Sequence, residues 1–225
     1  MKLPPLSLLE TRVLGVLVEK QHTVADTYPL TLNALVAGCN QKTSRDPVLN
    51  ATDAEVQLAI DQLRSLSLIV ESSGGRVMRY AHNVERVLAL PSQSVALLAT
   101  LMLRGAQTLG ELRTSSERLH RFADVSAVEG FLHELAARSE GGLVEELPKA
   151  AGERENRWVH LLSGRDATLA ALAAVPAAGG AATETLALSE LAAVKASIVE
   201  MRAEIERLSA SLARLREELG ALSDR

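Results

Sequence analysis

The sequence predicts a mainly α-helical α+β chain, built as two tandem winged-helix domains followed by a C-terminal coiled-coil helix. Three observations predict it. The order helix, strand, turn, strand occurs twice; an apolar helix and a short leucine-rich helix precede each copy; and a long heptad run follows an Ala/Gly-rich stretch. Three helices closed by a β-hairpin make the winged form of the helix-turn-helix.

The first domain is assigned to residues 1–87. Helices are expected over Leu8 to Lys20, Leu30 to Ala37 and Asp53 to Leu66. The third opens on Thr52-x-x-Glu55, a capping box, and repeats apolar residues at Val56, Ile60 and Leu63. Leu68-Ile69-Val70, the turn Ser72-Ser73-Gly74-Gly75 and Arg79-Tyr80-Ala81-His82 then read as a hairpin. The second domain, residues 88–165, follows Pro91 with helices over Val95 to Arg104, Leu109 to Thr114 and Ala127 to Ala137. Here Ser126-x-x-Glu129 reads as the matching capping box, before Val128, Leu132 and Leu135. Its hairpin is Leu143-Val144 with Arg157-Trp158-Val159-His160.

Residues 166–184 are assigned as a flexible linker by composition, Ala and Gly with one Pro dominating from Ala167 to Ala182 as in Ala-Ala-Val-Pro-Ala-Ala-Gly-Gly. In residues 185–225, Leu191, Val194, Ile198, Met201, Ile205, Leu208, Leu212, Leu215, Leu219 and Leu222 keep 3,4 spacing, the seam of a coiled coil. Ile198 and Ile205 at a, with Met201, Leu208, Leu215 and Leu222 at d, favour two parallel strands. Lys195, Arg202 and Arg216 at e against Glu190, Glu204 and Glu218 at g suit a parallel pair, so a homodimer is expected. The alternative is one amphipathic helix folded back on its own domains.

Composition sets the compartment and weakens one functional class. No apolar run reaches the roughly 20 residues of a membrane span, and Met1-Lys2-Leu3-Pro4-Pro5 has no signal-peptide core, so a cytoplasmic protein without membrane partners is expected. The single cysteine, Cys39, fits a reducing compartment and reads as a small buried hydrophobe rather than a reactive thiol. Formal net charge is -4, without the basic footprint of a dedicated nucleic-acid binder. The acid excess sits mostly in the tail: residues 1–84 carry eight basic and eight acidic side chains, 85–165 ten and eleven, and 166–225 six and nine.

Enzymatic chemistry is not expected. His22, His82, His120, His133 and His160 fall in no metal-ligand spacing, and no phosphate loop or nucleophile elbow occurs. No cofactor or metal is expected either. His82 and His160 hold equivalent places on the two last strands, which points to buried or half-buried structural imidazoles bonding the backbone.

DNA contact is the remaining class the fold suggests. In a winged helix the third helix enters the major groove and the wing grips phosphate. These third helices offer Asp53, Gln57, Asp61 and Arg64, then Glu129, His133, Glu134 and Arg138, a poor set for a polyanion. The connection ahead of the third helix is better equipped, with Asn40, Gln41, Lys42, Ser44 and Arg45. Further cations are Arg113, Arg118 and Arg121 in the second connection, and Arg76, Arg79, Arg154 and Arg157 on the wings. Each set has a structural alternative, pairing of Arg45 with Asp46 in an ordered loop and ordinary surface ion pairing elsewhere.

Several motifs resemble a known family. Thr23-x-x-Asp26-x-Tyr28-Pro29-Leu30-Thr31-Leu32-Asn33-Ala34-Leu35, Cys39-Asn40-Gln41-Lys42 and Arg45-Asp46-Pro47-Val48 are similar to the signature of the bacterial YceH-like family. So are Leu103-Arg104-Gly105-x-Gln107-Thr108-x-Gly110-Glu111-Leu112-Arg113, Arg118-Leu119-His120-x-Phe122 and His160-Leu161-Leu162-Ser163-Gly164. The resemblance spans about residues 6–164. It implies a tandem winged-helix fold and supplies no catalytic residue. Ala25, Ala106 and Leu109 stand where the family more often has Pro, and Ser115 where it often has Arg, which removes one charge from a basic patch. The expectation is a non-enzymatic dimer that contacts double-stranded DNA as a transcriptional regulator or nucleoid-associated factor. The alternative is an adaptor whose winged helices bind a partner chain.

Overall fold

A computed structural model describes residues 3–73, 77–149 and 152–168. The linker, the heptad run with its ten seam residues, and Arg76 lie outside the described residues.

The chain is α+β, with helices dominating and two small antiparallel hairpins. The first repeat comprises α1 (Leu8–Thr23), a 3-10 turn at Ala25–Thr27, α2 (Leu32–Cys39), α3 (Asp53–Ser65), β1 (Ile69–Ser72) and β2 (Arg79–His82). A five-residue helix, α4 (Val84–Leu88), occupies the connector. The second repeat comprises α5 (Ser92–Arg104), α6 (Leu109–Ser115), α7 (Val125–Ala136), β3 (Val144–Leu147) and β4 (Arg157–His160).

Helix starts follow local capping chemistry. Ser7 with Glu10, Thr52 with Glu55 and Thr108 with Glu111 form reciprocal capping boxes at α1, α3 and α6. The box expected at Ser126 does not form. Asp124 caps α7 instead, its carboxylate accepting from the Ala127 amide at 2.8 Å, so Ser126 lies inside the first turn. The apolar register survives this shift: Val128, Leu132 and Leu135 are buried, as are Val56, Ile60 and Leu63 of α3.

The hairpins pair Ile69 to Ser72 with His82 to Arg79, and Val144 to Leu147 with His160 to Arg157. Each gains one further bridge from the segment between the first two helices of its repeat. Leu30 exchanges both backbone hydrogen bonds with Tyr80 (3.0 and 2.8 Å), and Gln107 does the same with Trp158 (3.1 and 2.7 Å). Tyr80 and Trp158 point into the core at these equivalent positions.

The two repeats share one core, centred where α1 packs on α5. Val13 to Val18 are all buried, and so are Ser94 to Leu103. A helix buried nearly all round needs partners on more than one side, and each large aliphatic side chain so buried stabilises by about 1.5–3 kcal/mol. Close approach is visible at Gly15, where a Cβ would lie 3.0 Å from the Leu103 side chain. The start of the chain also closes on the second repeat, the Leu6 amide donating to the Leu162 carbonyl at 2.8 Å. Among the described residues, no helix is long and apolar enough to cross a membrane.

Candidate nucleic-acid interface

The long connection between α2 and α3 is held from below by two arginines. Arg12, fully buried in α1, donates to the carbonyls of Cys39 (3.2 Å) and Pro47 (2.7 Å). Burial, then the nearby charge of Arg45, lowers its pKa from the ordinary value. Arg45 folds inward beneath the loop. Its guanidinium reaches both oxygens of Glu19 at 3.1 and 2.6 Å and also donates to the Gln41 side chain and the Ser44 carbonyl, while its Nε donates to the Gly38 carbonyl. Burial by itself would raise the Glu19 carboxyl, but the hydrogen bonds and charge of Arg45, with Lys20, hold it below the usual value. The partner of Arg45 is thus Glu19, not Asp46.

Asn40 and Gln41 are engaged in the same framework. The Asn40 amide both donates to and accepts from the backbone of Ala51, each at 2.8 Å. Gln41 accepts from Lys20 and Arg45. Ser44, at φ 59°, accepts from Arg104 of the second repeat at 2.7 Å, and the Asp46 amide donates to the Leu103 carbonyl at 2.8 Å. The loop is therefore clamped between α1 and the end of α5. Of its five candidate residues, Lys42 alone presents a side chain with no bond to the described residues.

The other cations divide in the same way. Arg79 donates to the carbonyls of Thr27 and Pro29, tying β2 to the segment before α2. Arg113 donates to the Ala123 carbonyl. Arg157 is held by Glu153 and Glu111, both at 2.9 Å, and donates to the Ala106 carbonyl. Arg121 is widely exposed, with Glu117 at 3.9 Å. Arg118 and Arg154 are exposed and make no bond with the described residues. Gln41, Ser44 and Arg118 come together on one cleft, joined there by Lys20 and Arg104. The wing residues Arg79 and Arg154 belong to separate hairpins.

The outward faces of the third helices carry a net excess of carboxylates. On α3, Asp53, Ala54, Glu55, Leu58, Gln62, Arg64 and Ser65 are exposed, Arg64 being held by Glu71 at 2.7 Å with Asp61 at 3.6 Å, while Gln57 and Asp61 bond each other at 3.1 Å. On α7 the exposed set is Val125, Ser126, Glu129, Gly130, His133 and Glu134. Carboxylates at these positions repel phosphate at close range.

Sequence spacing did not reveal Lys20 or Arg104 as site residues, because both reach the cleft from apolar helices. Their position at the last turn of an otherwise buried run was the available signal. Cys39 is buried, and burial pushes its thiol up to about 12, which keeps it un-ionised. His82 and His160 are pushed down to about 4, first by burial, with the charge of His22 adding to the effect at His82. The ring of His82 bonds the Gln21 side chain rather than the backbone, and the Nδ1 atoms of both rings are buried without a partner. Among the described residues, no group of three His, Cys, Asp or Glu side chains is placed to hold a metal ion.

The comparisons with known proteins point one way. Residues 6–153 match a family model described as "Protein of unknown function, DUF480". A UPF0502 protein of Leptothrix cholodnii is 58% identical over 220 residues, covering 96% of each chain. UPF0502 proteins of Burkholderia cenocepacia and Burkholderia vietnamiensis are each 56% identical over 212 residues, covering 94% of this chain and 88% of theirs. The chain belongs to this DUF480/UPF0502 family of bacterial proteins, with which the YceH-like motifs agree.

Proposed function

We propose that the chain is a non-enzymatic tandem winged-helix protein of the cytoplasm that contacts double-stranded DNA as a homodimer, in the manner of a transcriptional regulator or nucleoid-associated factor. The observation that carries this reading is the single-residue bridge in each repeat. Leu30 on Tyr80 and Gln107 on Trp158 place a third strand segment between the first and second helices, giving the order helix, strand, helix, helix, hairpin twice. Lys42, Arg118, Arg121 and Arg154 supply exposed charge for phosphate, and pairing through the heptad tail would double the set. With α3 and α7 acidic, phosphate contact and DNA shape carry recognition more than base edges do.

A second reading, an adaptor that binds a partner chain, is favoured by exposed apolar residues on α3 and the first hairpin, Leu58 (67% exposed), Val70, Val77 and Met78. Selection of duplexes from a genomic fragment pool by the full-length protein, followed against salt, separates the two. The DNA reading expects enrichment of a two-fold site. It also expects Lys42→Ala/Arg121→Ala/Arg154→Ala to flatten the log-log salt dependence by about two to three. No enrichment, with only binding weaker than about 10⁻⁴ M, would transfer the function to a protein partner.

A further inference from the structure

We propose that the cleft at the seam between the repeats is a binding site for a small phosphate-bearing solute, gripped by Arg104 from α5 and Arg118 from the turn after α6. The cleft has a volume of about 200 Å³ and is built by both repeats, α1 and the α2–α3 loop on one side, α5 and the end of α6 on the other. Lys20, Arg104 and Arg118 line it against one carboxylate, Glu19. That carboxylate is paired by Arg45 at 2.6 Å and by Lys20 at 3.2 Å, which leaves Arg104 and Arg118 as the uncompensated cations of the cleft.

The state of the two arginines points to an anion. Arg104 is half-buried, yet among the described residues its side chain hydrogen-bonds only a neutral hydroxyl, Ser44 Oγ at 2.7 Å. A guanidinium taken partly out of water ordinarily meets a carboxylate or phosphate in bidentate geometry. Desolvation lowers the Arg104 pKa; the charge of Glu19 opposes this only in part and Arg45 adds to it, so the charge of an incoming anion would offset the remaining cost. Arg118 carries no bond to any described residue. The hydroxyls of Thr43 and Ser115 line the same cleft, make no bond among the described residues, and can donate to phosphate oxygens.

Arg104 and Ser115 also border a second, more open hollow of about 530 Å³ that runs along Gly110 and Thr114 to Arg157. Glu111 also lines this hollow but is paired with Arg157 at 2.9 Å, and a Cβ at the exposed Gly110 would meet nothing within 4 Å, which leaves the hollow open to the organic part of a phosphate monoester. The site is concave and reaches a half-buried cation, which suits a small solute better than the outer backbone of a duplex. The proposal does not rest on DNA contact.

Calorimetric titration of the full-length protein with inorganic phosphate, at ionic strength matched with sodium chloride, tests it. Saturable binding of one phosphate per chain is expected, together with a rise in melting temperature. Arg104→Gln and Arg118→Gln should each weaken it by about tenfold or more, the loss of a charge-assisted pair, while Arg86→Gln on the exposed face of α4 should not. Arg118 is exposed, so its variant stays informative if Arg104→Gln lowers stability. A response equal to that of chloride, or unchanged affinity in both variants, would overturn the site. A short duplex that blocks phosphate and loses affinity in the same two variants would also overturn it, assigning the cleft to the DNA backbone. Failure of the fragment selection with phosphate binding intact would instead remove only the DNA reading.

Discussion

Lowering the pH from 7 to 5 should destabilise the fold through two histidines. His82 and His160 titrate near 4 in the folded chain because burial disfavours the imidazolium, against about 6.5 in an unfolded chain. With the folded pKa depressed, the folded state binds fewer protons. Stability is therefore full above about pH 6.5 and falls as pH drops toward 4. Linkage gives a loss of about 2 kcal/mol per histidine between pH 7 and pH 5, or about 4 kcal/mol for the pair. The assay is urea unfolding followed by far-UV circular dichroism at both pH values, for the parent chain and for His82→Gln/His160→Gln. The double variant should lose about 4 kcal/mol less on acidification. An equal loss in both proteins would refute the reasoning, because the acid sensitivity would then belong to other groups.

Two further outcomes follow from the packing and one from the heptad spacing. Arg45→Ala leaves the half-buried Glu19 with Lys20 alone at 3.2 Å and strips donors from the Gly38 and Ser44 carbonyls, so it should destabilise by about 3 kcal/mol, with Glu19→Ala/Arg45→Ala recovering part of that loss in the same urea assay. Gly38→Ala places a Cβ 2.6 Å from Val16 Cγ1, an overpacking that should lower stability by about 1–3 kcal/mol, and Val16→Ala in the same chain should relieve it. Deletion of residues 183–225 should convert a dimer to a monomer in sedimentation equilibrium; an unchanged dimer would remove the heptad run from the interface.

Local chemistry was legible in the sequence, and long-range pairing was not. Thr52, Glu55 and the 56, 60, 63 spacing located α3 because cap and period are both local. The same logic failed at Ser126, where a second acceptor two residues earlier, Asp124, took the cap. The boxes at Ser7 and Thr108 carried the same pattern and were open to reading. Arg45 looked like an exposed donor since its partner, Glu19, lies 26 residues away and no spacing rule links them. Arg104 escaped for a similar reason, its contact Ser44 being 60 residues distant. The unbroken apolar runs of α1 and α5 were visible as hydrophobicity, but only the packing shows that each is the other's partner.

That mutual burial of α1 and α5 makes the repeats thermodynamically inseparable. Unfolding either one would strip the Val13 to Val18 or the Ser94 to Leu103 face of its cover and expose it to water. A half-molted intermediate would carry that penalty without the entropy of full release. Heating residues 3–168 should therefore give a single calorimetric peak whose van't Hoff and calorimetric enthalpies agree, and two resolved peaks would show that the seam between the repeats is weaker than its burial implies.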